Sequence, residues 1–318
     1  MRYKIFLFSL LALLFSSCTL LAYNLQKSKE LEQTPTVEII RLDMEEVFAS
    51  QYLRFNHYPL GFITLKNTSD KVIDEFIVEI YAKEFMDNPR TSSPSKNIQP
   101  QDKFEIQLFG GFNQKVLNLV EDQTINLRIK FLFKSGDKKF KQVLERPVNL
   151  FQKNAFIWDQ PARLGAFITS KEETVKSFAR DSIRGSLLPL LDNLEPSLLY
   201  AFQLFIALQE YGIRYIPDPQ TPFREFYQNK KKTDYIQFPH EVLKHKSGDC
   251  DDLSVLMASL LENVGVKTAF AVTENHIFIL FDTEIPLWQK DNLLLPQEWL
   301  FPHKGTFWLP LEDRKSVV

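Results

Sequence analysis

The chain has 318 residues, 44% hydrophobic and 25% charged, with a formal net charge of -2. That balance excludes a disordered or low-complexity protein and offers no basic face to nucleic acid. Its 10 glycines build no GxGxxG or GxxxxGK loop for phosphate, while 28 phenylalanines point to β-rich packing.

The chain opens on MRYKIFLFSLLALLFSSC. Arg2 and Lys4 form a basic start, and Ile5–Phe15 is an apolar run of eleven residues. That is short for a bilayer-spanning helix and right for a signal-peptide core. The run ends in Ser16-Ser17-Cys18, which resembles the lipobox of bacterial lipoproteins, with Phe15 where that pattern commonly has Leu. Residues 1–18 are therefore expected to be a signal peptide, with Cys18 acylated after cleavage; a plain secretory signal cut near Cys18 is the alternative. No later stretch is long and apolar enough to span a membrane. The resemblance implies an exported, lipid-anchored bacterial protein facing the periplasm or cell surface. Lipidation of Cys18 would leave Cys250, the other of the 2 cysteines, without a disulfide partner. A lone thiol is either reactive or a buried small hydrophobe, and counting alone does not separate the two.

Residues 19–35 read as a polar tether. From 36 to 150 the pattern is β: TVEIIRL, LGFITLKN, DEFIVEIYA, KFEIQLF, INLRIKFLF and KKFKQVLERPVNL mix β-branched and aromatic residues with partial alternation. NTSD, NPRTSSPS and KSGD supply the turns. Strands at regular spacing with no helical period between them predict an immunoglobulin-like sandwich. Nothing in this half clusters His, Cys or carboxylates, so spacing or binding is its expected role.

Residues 151–318 form the second expected domain, of α+β type. After the connector NAFIWDQPARLGAFITS the period changes. KEETVKSFARDSI and EPSLLYAFQLFIALQEYG read as helices, the second stopped by Gly212. Residues 213–239, rich in proline and aromatics, read as a surface loop, and Lys230–Lys232 as its solvated tip. In KHKSGDCDDLSVLMASLLENVG, Asp249 is an expected N-cap and Asp252 its capping-box partner. Positions 253, 256, 257, 260, 261 and 264 form one apolar face, and Gly265 ends the helix. VKTAFAVT, HIFILFD and TFWLPLE follow as strands. This order sets Cys250 at a helix N-terminus, His276 at the start of a strand and Glu312 at the end of another.

A thiol attacks only once ionised, and a helix N-terminus favours its anion. Asp249, Asp251 and Asp252 oppose that ionisation. A histidine that takes and returns the proton would answer them, itself oriented by an acidic residue. His240 and His245 with Asp249 lack a third strong metal ligand, and the three aspartates lack EF-hand spacing. No metal and no cofactor are expected.

GDCDDLSVLMASLLENVGVKTAFA followed by HIFILFD and WLPLE closely resembles the bacterial transglutaminase-like superfamily over residues 235–312, and more weakly over 154–234. The resemblance implies a papain-like α+β core with a Cys-His-Asp type of triad. It sets Cys250 at the nucleophile position, His276 at the general-base position and Glu312 at the third, where many relatives have Asp. A W-x-P-x-E strand in related sequences favours Glu312 over Asp282. The implied activity is hydrolysis of protein or peptide amides through a thioester. Protein-glutamine acyl transfer is one alternative, and a non-catalytic binding or scaffold lipoprotein that keeps the fold is the other. An oxyanion hole would draw on the Cys250 N–H and, as a side-chain candidate, on Gln237; a loop residue bonded to backbone is the other reading of Gln237.

Overall fold

A computed structural model describes residues 36–184, 194–217, 229, 232–274, 276–292 and 295–312. The expected signal peptide, Cys18 and the tether lie outside the described residues, as do Asn275 and most of the expected loop tip. Among the described residues no helix is long and apolar enough to cross a membrane.

The chain divides into two compact units. One holds the described residues up to Glu46 with Leu53–Asn113 and Thr124–Val148. The other holds Val47–Tyr52, Gln114–Gln123 and the residues from Asn149 onward. The change of unit at Val148 falls inside the strand Lys138–Phe151.

In the first unit, β1 (Val37–Met44), β3 (Gly61–Asn67) and β7 (Lys103–Leu108) form an antiparallel sheet in the order β1-β3-β7. A second sheet joins β4 (Ile73–Ala82), β8 (Gln123–Ser135) and β9 (Lys138–Phe151), with β5 (Arg90–Thr91) and β6 (Ser95–Ile98) along β4. Alternation drives the layering. Ile63 and Leu65 of β3, Phe76, Val78 and Ile80 of β4, and Leu127, Ile129 and Phe131 of β8 are buried at every second position. Phe76 meets Phe104 across the sheets edge to face, ring centres 5.2 Å apart. The β8–β9 turn falls at Gly136, whose φ of 58° costs glycine little.

The second unit is mixed. β2 (Val47–Phe48) pairs in parallel with the end of β9, and β10 (Ala155–Ile157) pairs antiparallel with β12 (Thr233–Tyr235). Further along come β11 (Arg214–Tyr215), β13 (Ser247–Gly248), β14 (Thr268–Val272), β15 (Ile277–Pro286), β16 (Phe301–His303) and β17 (Thr306–Leu311). The last four form an antiparallel sheet in the order β14-β15-β17-β16. Among the described residues its α-helices are α1 (Glu173–Arg184), α2 (Pro196–Tyr211), α3 (Pro239–His245) and α4 (Cys250–Asn263).

α4 is the centre of this unit. It packs on β15 and is flanked by α1, α2 and α3. The predicted single apolar face is too narrow: Val255, Ala258 and Ser259 are buried as well as Leu256, Met257, Leu260 and Leu261. A helix covered on all sides by helices and a sheet has no solvent face to keep polar. Ser254 and Ser259, both buried, bond to backbone instead, Ser254 to a carbonyl of its own helix and Ser259 to the Thr169 N–H. Gly212 ends α2 at φ 90°, and the Ile213 N–H closes back on the Leu208 carbonyl at 3.0 Å.

Candidate active site

The site is assembled where a two-residue strand runs into α4. β13 pairs in parallel with β11, Arg214 opposite Ser247 and Tyr215 opposite Gly248. The Ile216 N–H donates to the Gly248 carbonyl at 2.9 Å. Gly248 has no room for a side chain, since a Cβ there would lie 2.6 Å from the Asp252 Cβ and 3.0 Å from its Oδ2. Gly248→Ala is expected to cost about 1–3 kcal/mol, read as a lower urea midpoint at unchanged m.

Cys250 begins α4 and is 1% exposed. It belongs to an apolar cluster with Phe156, Trp158, Phe167, Phe238 and Ile277. Phe167 faces both Phe156 and Phe238, at 6.0 and 4.9 Å between ring centres, so the wall around the thiol is aromatic. The backbone N–H groups at a helix start and their partial positive charge favour an anion there.

One turn on, Ser254 Oγ donates to the Cys250 carbonyl at 2.5 Å and lies 3.3 Å from the Ile277 carbonyl. A hydroxyl has one hydrogen, so the shorter contact is the bond. The longer one records that both carbonyls converge on the same oxygen. This sets the first turn of α4 against the first residue of β15, the residue that follows His276.

His276 is half-buried, and both its ring nitrogens are shielded from solvent. Its carbonyl accepts the N–H and the hydroxyl of Thr273, at 2.8 and 3.0 Å. Its ring lies 5.9 Å from that of Phe278, inclined by 29°. Glu312 follows β17 directly and is exposed. The register pairs Ile279 with Leu311, and one step further sets Glu312 level with Phe278, close along the sheet to His276. Asp282 sits six residues along β15 from His276, about 20 Å at ~3.3 Å per residue. It accepts the Glu284 N–H at 2.9 Å and Lys267 Nζ at 3.3 Å. Burial pushes its carboxyl up, but those donors and the Thr306 hydroxyl outweigh it and hold the group below the usual range.

Gln237 stands differently from its expected oxyanion role. Its Nε2 donates to Asp252 Oδ2 at 2.6 Å and to the Ser247 carbonyl at 3.2 Å, using both amide hydrogens. Its own N–H donates to Asp252 Oδ1 at 2.7 Å. Its Oε1 lies 2.8 Å from His245 Nδ1, and because an amide oxygen only accepts, that nitrogen carries the hydrogen. Gln237 is a clamp that binds Asp252 at both oxygens.

The aspartates correct a second expectation. Asp249 is the N-cap residue by backbone, but its side chain makes no capping bond. Asp252 accepts the Asp249 backbone N–H, as a capping-box residue does, and accepts from Gln237 as well, while Asp251 Oδ1 accepts the Asp252 N–H at 2.7 Å. All three are buried, with oxygens within 4.8 Å of one another. Asp234, 4% exposed, joins them, held by Trp158 Nε1 at 2.7 Å and the Tyr235 N–H at 2.8 Å. Burial pushes Asp234 up to about 7, aided by the charges of Asp249 and Asp252. Burial and then Asp249 push Asp252 up to about 7 against the pull of Gln237. Asp251 rises well above the carboxylate range, by burial first and Asp249 second. Three carboxylates so close could present oxygens to a cation, but Gln237 and the Asp252 N–H already occupy those of Asp251 and Asp252 that the helix start orients.

Ser254 and the Trp158–Asp234 pair are the elements of the site that the sequence analysis missed. Ser254 could have been found as the polar residue at i+4 from Cys250 on an otherwise apolar stretch. Asp234 lies 76 residues from Trp158, and no local pattern joins them.

No family model matches the chain, and no curated protein matches it. Among solved structures, one similar chain is a late embryogenesis abundant (LEA) protein in solution, 9% identical, with 43% of this chain and 86% of that chain covered and a TM-score of 0.27. Another belongs to a chaperone–tip adhesion subunit pre-assembly complex of archaic chaperone-usher Csu pili from Acinetobacter baumannii. It is 16% identical, covers 38% of this chain and 58% of that one, and has a TM-score of 0.20. Likeness at this level carries no argument about fold or function.

Proposed function

We propose that the chain is an exported, lipid-anchored cysteine hydrolase of transglutaminase-like type that cleaves protein or peptide amides. In this reading Cys18 carries the lipid, the first unit is an immunoglobulin-like sandwich, and the second is a papain-like core. The observation that carries it is the convergence of the Cys250 and Ile277 carbonyls on the Ser254 hydroxyl, which sets the turn holding Cys250 beside the residue that follows His276.

His276 takes the thiol proton as the Cys250 sulfur attacks the amide carbonyl carbon. The oxyanion forms at the positive end of α4. The C–N bond then breaks, and His276 returns its proton to the leaving amine. Water attacks the thioester, giving a proton to His276; the C–S bond breaks, the acid leaves and the thiol is restored. Glu312 supports the imidazolium from the neighbouring strand. Ionised carboxylates would oppose a thiolate, but burial raises Asp234, Asp251 and Asp252 toward holding protons near neutrality, so less negative charge faces Cys250 than the number of aspartates suggests.

The 1% exposure of Cys250 favours a second reading. In it the chain is a binding or scaffold lipoprotein that keeps the fold, and the thiol is a core residue. One experiment separates them. Wild type and Cys250→Ser are compared on a peptide library with a labelled primary amine present. The hydrolase reading expects cleavage without amine incorporation, lost by about 10³-fold or more in the variant. Amine incorporation would turn the reading to acyl transfer. Undiminished cleavage by Cys250→Ser would overturn it, and a Cys250 that alkylates only after unfolding would establish the scaffold.

A further inference from the structure

An apolar pocket of about 130 Å³ lies along the helix that begins with Cys250. Its floor is Leu253, Ser254 and Met257 of α4, at i+3, i+4 and i+7 from Cys250, so they continue the face on which the cysteine sits. Ile279 of β15 lines it three residues past His276, and Leu311 of β17 lines it one residue before Glu312. Leu208 of α2, half-buried, closes another side. Each element that carries a proposed catalytic residue therefore also lines this pocket, within four residues of it. The volume is close to that of the engineered ~150 Å³ apolar cavity that takes up benzene. Its polar lining is the buried Ser254 hydroxyl, already given to the Cys250 carbonyl, with the exposed Gln209 and the half-buried Tyr215. No charged residue lines the pocket, so a charged side chain would lose hydration there and gain no ionic partner.

We infer that this pocket receives an apolar side chain of the substrate, of leucine to phenylalanine size, beside the amide that Cys250 attacks. The inference rests on the hydrolase reading and adds a substrate class to it: peptides with a large apolar residue next to the cleaved bond. Selectivity then comes from methylene burial against α4, as in other apolar pockets, where one methylene changes rates by about 10–200-fold.

The test uses acetyl-aminoacyl chloromethyl ketones carrying Gly, Leu, Phe, Glu or Lys. Each alkylates a thiolate by forming a C–S bond and expelling chloride. In the full-length protein the Leu and Phe reagents are expected to modify Cys250 at least about tenfold faster than the other three. Leu208→Trp, which fills the pocket, is expected to bring the Leu-to-Gly rate ratio close to one. Leu208→Ala, the milder change, is expected to raise the Phe-to-Leu ratio. Equal rates for all five reagents, or a preference for Glu or Lys, would overturn the inference and leave the role of Cys250 standing. If no reagent modifies Cys250 until the protein is unfolded in urea, the hydrolase reading fails, and the inference fails with it.

Discussion

His276→Ala is expected to lower amide turnover by about 10²–10⁴-fold, the range for removing a positioned general acid–base. The loss should fall on kcat rather than KM, because in the proposed mechanism the imidazole moves a proton in the transition state and does not hold substrate. The fold should survive the change. The strand entry is held by backbone: the His276 carbonyl accepts from Thr273, and Ile277 pairs with Val272 in a register that no side chain at 276 sets. Circular dichroism and the urea midpoint would therefore stay near wild type while hydrolysis collapses. A variant that retained turnover within a few-fold would remove His276 from the mechanism.

The contrast with Glu312 makes this prediction sharper. In a buried triad the acid fixes the imidazole strongly, but Glu312 is exposed at the end of β17. Water screens an exposed carboxylate, and pairs of that kind contribute little. Glu312→Gln is expected to reduce turnover within about tenfold. The two variants together would show whether the strand order, or only the Cys–His pair, carries the chemistry.

Much of the fold was legible because period and burial agree. β3, β4 and β8 alternate in the sequence as they do in the structure, and Gly212 and Gly265 mark helix ends at φ 90° and 89°. The two-residue strands β2 and β13 were not legible. Their pairing is decided by distant partners, Leu150–Phe151 for one and Arg214–Tyr215 for the other. The site divided in the same way. The positions of Cys250, His276 and Glu312 follow from local pattern. The behaviour of the aspartates does not, since a capping residue and a buried one look alike until Gln237 is found bonded to Asp252. Capping also presumes a helix end open to water, where a carboxylate bonds its own first turn. At α4 that end is buried: Asp251 and Asp252 still bond their own first turn, Asp252 also bonds across the fold to Gln237, and burial favours their protonated forms.

Those protons give the second large expected effect: the second unit should be less stable at pH 8 than at pH 5. Asp234 and Asp252 are pushed up to about 7 in the folded chain against 3.8 for an ordinary aspartate, and Asp251 is also raised. Between the two values the folded state keeps protons that the unfolded chain releases, so stability falls as pH rises. The contribution is whole below about pH 4, declines through pH 5–7 and levels off above the folded values for Asp234 and Asp252. Taken singly, either group corresponds to a change on the order of 4 kcal/mol from below pH 4 to above pH 7, of which roughly 2–3 kcal/mol falls between pH 5 and pH 8. The carboxylates titrate as one coupled set, so the observed change is read from the set and not from a sum. All 4 tryptophans, Trp158, Trp288, Trp299 and Trp308, lie in this unit, so fluorescence during urea unfolding follows it directly. Asp251→Asn keeps the oxygen that accepts the Asp252 N–H and removes one ionisation. It is expected to flatten the slope, with near wild-type stability at pH 5 and higher stability at pH 8. Asp251→Ala loses that acceptor and should be weaker at both. A flat or rising wild-type profile from pH 5 to 8 would show that Asp234, Asp251 and Asp252 are ionised in the folded protein, and that Cys250 faces their charge.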